Sequence, residues 1–443
     1  MSDDASPKVS NHPEETDKTE DTGEWNMNNE WVTWCRDQYP AFQHHGASET
    51  PVYFDGPAGT QVPQCVLDAM RDHLVHRNAN RGGVYPVSKQ CDTEMAECHQ
   101  ALADFLGASD PDTISFGPNM TTLTFAFSRA MARTWPAGDE ILLTSVEHDA
   151  NFTPWVLAAR DAGVTVRVAN LRRDDATLDT DDWYNKLNSK TRLVAIGGAS
   201  NATGARTPLK TLCDAARDAG AISFVDAVHL APHTKVEVEQ IGCDVLVCSA
   251  YKFFGPHLGI QYGKRELLEE LVPYKLRPAP DSLPGRWMTG TQSHEGIAGA
   301  RAAVDYLANI GRRVSGTADL PRDAALRGAM SAIESYEREL CQQLLAGLAA
   351  IPSIKVWGIT DPARAEERLP TVSLTSARHS PQTLAEQLAA RGIYSWHGNY
   401  YAVPLAEALG VEPQGMVRVG MVHYNTPSEV DRLLDALRQL DGA

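Results

Sequence analysis

A chain of 443 residues, 43% hydrophobic and 22% charged, has the size and composition of one large and one smaller globular domain. Its formal net charge of -17 argues against nucleic-acid and membrane partners, and leaves any anionic cofactor dependent on a local cluster of donors. No run of about 18 apolar residues marks a transmembrane helix, and the eight scattered cysteines include no Cys-x-x-Cys pair, which favours reduced thiols in a cytoplasmic protein over disulfides or zinc.

Residues 1–24 are polar and acidic and lack the basic and apolar regions of a signal peptide. They are expected to form a disordered tail. Residues 25–84 are expected to pack on both domains, and residues 85–310 to form the large one. There Thr113–Phe116, Glu140–Val146, Val164–Asn170, Arg192–Gly197, Ile222–Asp226 and Asp244–Ser249 read as strands. Several are almost wholly apolar, as befits strands buried on both faces of a mostly parallel sheet. Leu209–Ala219 reads as a helix, opened by Thr207-Pro208 and closed by Gly220. This alternation predicts a three-layer α/β domain. A long helical region, Gly296–Tyr336, leads into a smaller α+β domain over residues 311–443. Its expected strands are Thr371–Leu374 and Val417–Val422, its helices Leu384–Arg391 and Glu429–Leu440. Thr426 and Glu429 have capping-box spacing before the last helix.

Polar residues gather where the predicted strands end, the edge at which open α/β sheets bind ligands. One strand ends in Asp226, followed by Ala227-Val228-His229; another ends in Ser249-Ala250-Tyr251-Lys252. A lysine delivered by an apolar run is desolvated, which lowers its pKa and supplies the neutral amine that forms imines. Pyridoxal 5′-phosphate (PLP) needs such an amine for its aldehyde and an acid against its pyridine nitrogen. Singly, each residue also reads as an ordinary polar strand end; together they point to PLP.

Further motifs keep the same order along the chain: Tyr53-Phe54-Asp55-Gly56-Pro57-Ala58-Gly59-Thr60, Glu147-His148-Asp149-Ala150-Asn151, Ser200-Asn201-Ala202-Thr203-Gly204 and Thr289-Gly290-Thr291. With the Asp226 and Lys252 segments they make the chain resemble the class V aminotransferase family, PLP fold type I, in its cysteine desulfurase-like branch. The resemblance runs from about Tyr53 to the C-terminus. It implies a seven-stranded, mostly parallel sheet in the large domain, and a homodimer with shared active sites. Carried over residue by residue, it makes Lys252 the Schiff-base lysine and proton carrier, Asp226 the partner of the pyridine nitrogen and His148 the residue stacked on the ring. Asn201 and His229 would contact ring substituents, with His229 standing where many relatives have Gln. Asn119, Met120 and Thr121, at a helix start after Gly117-Pro118, would cradle the phosphate with Ser249 and Tyr251. Thr291 would reach the phosphate of the neighbouring subunit.

Arg418 lies inside the apolar run Met416–Val422. A buried guanidinium wants an anion, either an internal carboxylate or the α-carboxylate of an amino-acid substrate. The resemblance implies the second. Arg81, in Asn78-Ala79-Asn80-Arg81-Gly82-Gly83, is a further candidate for substrate binding.

Cysteine desulfurases carry a nucleophilic cysteine on a small-domain loop shortly before that arginine. Here the loop reads Trp396-His397-Gly398-Asn399-Tyr400-Tyr401-Ala402-Val403-Pro404, with Tyr401 at the cysteine position. His397, Tyr400 and Tyr401 are candidates for acid/base work or for shaping the substrate pocket. The expectation is a PLP enzyme acting on a small amino acid, a lyase cleaving a Cβ–S bond without a persulfide cysteine. Aminotransferase and epimerase chemistry stay open, as does a non-catalytic scaffold, against which Lys252, Asp226 and His148 argue. No metal is expected: His229 and His233 are four apart, but Pro232 between them breaks the helix that would present both.

Overall fold

The computed structural model describes residues 30–43 and 50–442; the expected tail at 1–24 lies outside them. The strands in chain order are β1 (Val52–Tyr53), β2 (Ile114–Gly117), β3 (Glu140–Thr144), β4 (Thr165–Ala169), β5 (Thr191–Gly197), β6 (Ile222–Asp226), β7 (Val245–Ser249), β8 (Gly259–Gly263), β9 (Ile354–Trp357), β10 (Thr371–Ser376), β11 (Ile393–Tyr394), β12 (Trp396–Gly398) and β13 (Met416–Gly420).

Strands β2 to β8 form one seven-stranded sheet in the order β2-β8-β7-β6-β5-β3-β4. Only β8 runs antiparallel to its neighbours. Successive side chains point to opposite faces of a strand, and here both faces are covered. Leu142, Val194, Val225, Leu246 and Cys248 join a core with the helices Pro86–Leu106 and His294–Ser315. Ile141, Leu143, Ala195, Phe224 and Val247 join another with the helices Met120–Ala132 and Thr153–Ala162. Three layers follow, as the apolar runs predict. The edge strand β4 alone alternates, exposing Thr165 and Arg167, which protects an edge that would otherwise pair with other chains.

The long helical region divides in two, His294–Ser315 and Arg322–Ala349. Gly316 ends the first in the left-handed conformation at φ 67°, its N–H bonded to the Arg312 and Arg313 carbonyls, and Pro321 precedes the second. The two cross closely: a Cβ on Gly311 would lie 1.8 Å from the Ala325 carbonyl oxygen.

The C-terminal unit is an antiparallel sheet ordered β12-β13-β10-β9. Val372, Leu374, Val417 and Val419 pack on the second half of helix Arg322–Ala349 and on the last helix, Pro427–Gly442. The capping box is present: the Glu429 N–H donates to Thr426 Oγ1 at 3.3 Å and the Thr426 N–H to Glu429 Oε2 at 3.0 Å. Near the N-terminus, β1 pairs in parallel with β11, and Asp55 bridges to Gly420. The chain then crosses to the large unit, where helix Gln64–Asp72 packs on His294–Ser315. Among the described residues no helix is long and apolar enough to cross a membrane, and all eight cysteines are free, seven of them buried.

Candidate active site

A cavity of about 690 Å³ opens at the C-terminal ends of β3, β5, β6 and β7 and is closed from the other side by the loop after β12. It brings together Lys252, Asp226, His148, Asn119, Met120, Thr121, Asn201, His229, Ser249, Tyr251, Arg418, His397 and Tyr401. Arg81 and Thr291 do not line it in this chain. Arg81 is half exposed and bonded to Asp92 at 3.2 Å, and Thr291 is exposed.

Lys252 follows β7 on a single 3-10 turn, and its Nζ donates to the carbonyl oxygens of Pro57 and, at 3.0 Å, Ala58. Burial, then the charge of Arg418, lowers its pKa to about 7, against the opposing pull of Asp226 and Asp55. Asp226 ends β6 and accepts from the Val228 N–H at 2.8 Å; burial raises its carboxyl to about 6. His148 accepts the Ala150 N–H on Nδ1 at 3.0 Å, and burial with the nearby Lys252 and Arg418 lowers it to about 4. The result is a neutral imidazole that lines the cavity.

Met120 opens a helix, and its N–H donates to Ser249 Oγ at 3.2 Å, joining the helix start to the end of β7. Asn119 is the N-cap, its Oδ1 accepting from the Thr122 N–H at 2.8 Å. This loop lies against β8 only because residue 259 is glycine: a Cβ there would meet the Asn119 backbone at 2.4 Å. Tyr251 stacks on His257, ring centroids 4.8 Å apart.

Arg418, on β13, is 5% exposed. Its guanidinium donates to the Asn201 carbonyl at 2.8 Å and lies 4.3 Å over the Tyr400 ring. No carboxylate among the described residues is at ion-pair distance, and burial lowers its pKa to about 10. The internal salt bridge left open by the sequence is therefore not there. Tyr400 and Tyr401 hold φ values of 57° and 62°, conformations that cost a non-glycine residue energy and persist where surroundings enforce them. The enforcers are Asn201 Nδ2, donating to the Tyr400 carbonyl at 2.9 Å, and the Asp149 N–H, donating to the Tyr401 carbonyl at 2.8 Å. Tyr401 remains 70% exposed, with its ring 5.6 Å from that of His148 at the cavity mouth.

Asp55 and Glu147 escaped the sequence reading as individuals, though both sit inside quoted motifs, and Tyr400 was read as an acid/base or pocket-shaping candidate, not as a partner of Arg418. Asp55 faces Lys252 and Arg418 electrostatically, and burial raises its carboxyl to about 6. Tyr400 packs on Arg418. Glu147, 1% exposed, accepts from the Thr144 hydroxyl at 2.6 Å, Asn151 Nδ2 at 2.7 Å and the Gly197 N–H at 2.8 Å, tying the His148 loop to the end of β5. Glu147→Ala would leave these donors unpaired in a dry place and is expected to cost about 3 kcal/mol in urea unfolding. A loss below about 1 kcal/mol would show that the loop does not depend on this carboxylate.

The Aminotransferase class-V family pattern matches residues 52–319 and 323–433. The chain belongs to that family. A cysteine desulfurase of Pectobacterium carotovorum is 30% identical over 421 residues, covering 91% of this chain and 97% of the relative. One from Yersinia pestis is 29% identical over 426 residues, covering 92% and 97%. Among solved structures, apo cysteine desulfurase from Thermococcus onnurineus superposes with a TM-score of 0.81 at 25% identity, covering 92% of this chain and 97% of that one. The cysteine desulfurase CsdA of Escherichia coli gives 0.77 at 26%, covering 92% and 98%. The chain is thus a PLP-dependent enzyme of fold type I, of the cysteine desulfurase-like kind. Its cavity suits that cofactor. Besides a buried amine and a buried carboxylate, it holds His229 Nε2 and Asn201 Oδ1, two buried polar atoms without a protein partner. Such atoms are costly unless a bound molecule satisfies them.

Proposed function

We propose that this enzyme cleaves the Cβ–S bond of a small cysteine derivative without passing sulfur to a cysteine of its own. The observation that carries the reading is the lining of the cavity: it holds a lysine, an arginine free of carboxylates and several aromatics, but none of the eight cysteines. Tyr401 stands at the loop position where desulfurases place their thiol.

Lys252 would hold PLP, with Asp226 against its pyridine nitrogen and His148 on its face. Asn119, Met120, Thr121, Ser249 and Tyr251 would hold the phosphate, joined by Thr291 from a second copy. Asn201 and His229 would meet the ring substituents. Bound there, PLP supplies a sink for the electron pair left on the substrate Cα. The chain's own groups do the rest. Arg418 grips the α-carboxylate and so turns the Cα–H toward Lys252. A lysine with its pKa near 7 takes that proton and can return it at neutral pH. The Cβ–S bond then breaks with its electron pair on sulfur, which leaves as a thiolate or hydrosulfide ion. The remaining enamine hydrolyses to pyruvate and ammonia. His397 and Tyr401 stand at the mouth, where they bound the substrate's side chain.

The test is a panel of cysteine derivatives given to the holoenzyme. Pyruvate and the sulfur product are expected in equal amounts, unchanged after alkylation of the exposed Cys65. If keto-acid-dependent amino transfer dominates and the cofactor collects as pyridoxamine phosphate, the lyase reading fails.

A further inference from the structure

Outside the active site, three potential metal ligands converge from distant parts of the chain. His73 follows helix Gln64–Asp72, Cys91 lies in helix Pro86–Leu106, and His294 is the first residue of helix His294–Ser315. Their ligand atoms all lie within 4.8 Å of one another. His73 is 1% exposed and Cys91 fully buried, whereas His294 is half-buried and gives the cluster access to solvent.

One pair of the three already has the spacing of a zinc centre. Zinc bonds of about 2.3 Å to sulfur and about 2.05 Å to nitrogen, meeting at a tetrahedral angle, separate the two ligands by roughly 3.6 Å. Cys91 Sγ and His294 Nδ1 are 3.6 Å apart. The His73 and His294 rings stand edge to face, 5.9 Å between centroids at 72°, so they approach a common point without stacking. An outer carboxylate is also in place: Glu94 Oε2 is 2.6 Å from His73 Nδ1. With the Nδ1–H donating to Glu94, Nε2 is the lone-pair nitrogen, the arrangement that orients metal-binding histidines and raises their basicity. Arg77, 3.5 Å from Glu94 Oε1, steadies that carboxylate in turn.

We propose that His73, Cys91 and His294 form a site for a thiophilic divalent cation, zinc above all, with water in the fourth position. A thiolate and two imidazoles select zinc over magnesium or calcium, which prefer oxygen. Binding displaces the Cys91 thiol proton to solvent and involves no redox change. The metal ties three segments together beside residues 78–85 and 288–293, the loops that carry Arg81 and Thr291. Sequence spacing could not reveal it, because the ligands stand at 73, 91 and 294 and form no short motif.

Chelator-stripped holoenzyme titrated with Co2+ tests the site, read through ligand-field bands to the red of the cofactor. One equivalent per chain is expected, displaced by Zn2+ and unaffected by excess Mg2+. Cys91→Ser and His294→Gln should abolish the bands, while Cys65→Ser, at the exposed thiol, should leave them intact. Glu94→Gln should weaken Co2+ binding roughly 10- to 100-fold. It also serves where circular dichroism shows that Cys91→Ser has not folded. Absence of bands in the wild type, bands that survive Cys91→Ser, or affinity unchanged in Glu94→Gln would overturn the proposal. A cluster that merely shares a thiol–imidazole hydrogen bond would give the first of these results.

Discussion

Lys252→Ala is expected to lower turnover roughly a hundred- to ten-thousand-fold, the usual worth of a positioned proton-transfer group. The variant should fold and still take up PLP, because Asp226, Ser249 and the helix start at Met120 remain. It should not retain the cofactor covalently after borohydride reduction, whereas the wild type should. The burial that matters for catalysis has a second consequence. With its pKa near 7, the Lys252 amine is charged below that pH and neutral above it. The rate of PLP incorporation into the apoprotein should therefore rise about tenfold per pH unit up to roughly 7 and then level off. An ordinary lysine, near about 10.4, would keep the rate climbing over several more units. Continued climbing would show that the amine is not desolvated. Turnover that survives in Lys252→Ala would remove the lysine from the chemistry altogether.

The parallel strands were legible because strands covered on both faces must be apolar at every position. Ile222–Asp226 was read with its observed bounds, and Asp244–Ser249 to within one residue. Strands of two or three residues, such as β1, β11 and β12, are too short to show a period, so the N-terminal pairing with the C-terminal unit had no signal. The long helical region was read as continuous, although it divides into His294–Ser315 and Arg322–Ala349. Gly316 and Pro321 were there to mark the break.

Within the site, legibility followed chemistry. Residues that end strands or closely follow them, Asp226, Ser249 and Lys252, could be placed from pattern alone, because the sheet dictates where strand ends collect. Glu147 was less visible, since its partners come from Thr144, Asn151 and Gly197 and a buried carboxylate looks like any other in a sequence. Tyr400 was read as a candidate for acid/base work or for shaping the pocket, not as a partner of Arg418. Its role beside Arg418 depends on a left-handed backbone held by Asn201, and contacts between distant segments leave no local trace. Arg81 shows the reverse case: a glycine-rich loop suggested reach into the cavity, but within this chain the guanidinium is engaged by Asp92.

The buried guanidinium carries the strongest claim about substrate. Arg418→Ala is expected to lower kcat/KM for α-amino acids by about 2–5 kcal/mol, roughly thirty- to several-thousand-fold, because it deletes one side of a desolvated charge pair. Arg418→Lys keeps the charge but not the planar fork, so it should recover only part of that loss. The discriminating measurement is the ratio of activity on an amino acid to activity on the corresponding amine without a carboxylate. That ratio should collapse toward one in Arg418→Ala, since the amine never used the guanidinium. Equal losses on both substrates would instead mean that Arg418 only holds up Tyr400 and Asn201. Stability separates the two cases further. In the free enzyme the charge is buried without a carboxylate partner, with desolvation the largest influence on it. Replacing a group whose burial is repaid mainly by ligand should therefore leave urea stability within about 1 kcal/mol of the wild type while activity falls.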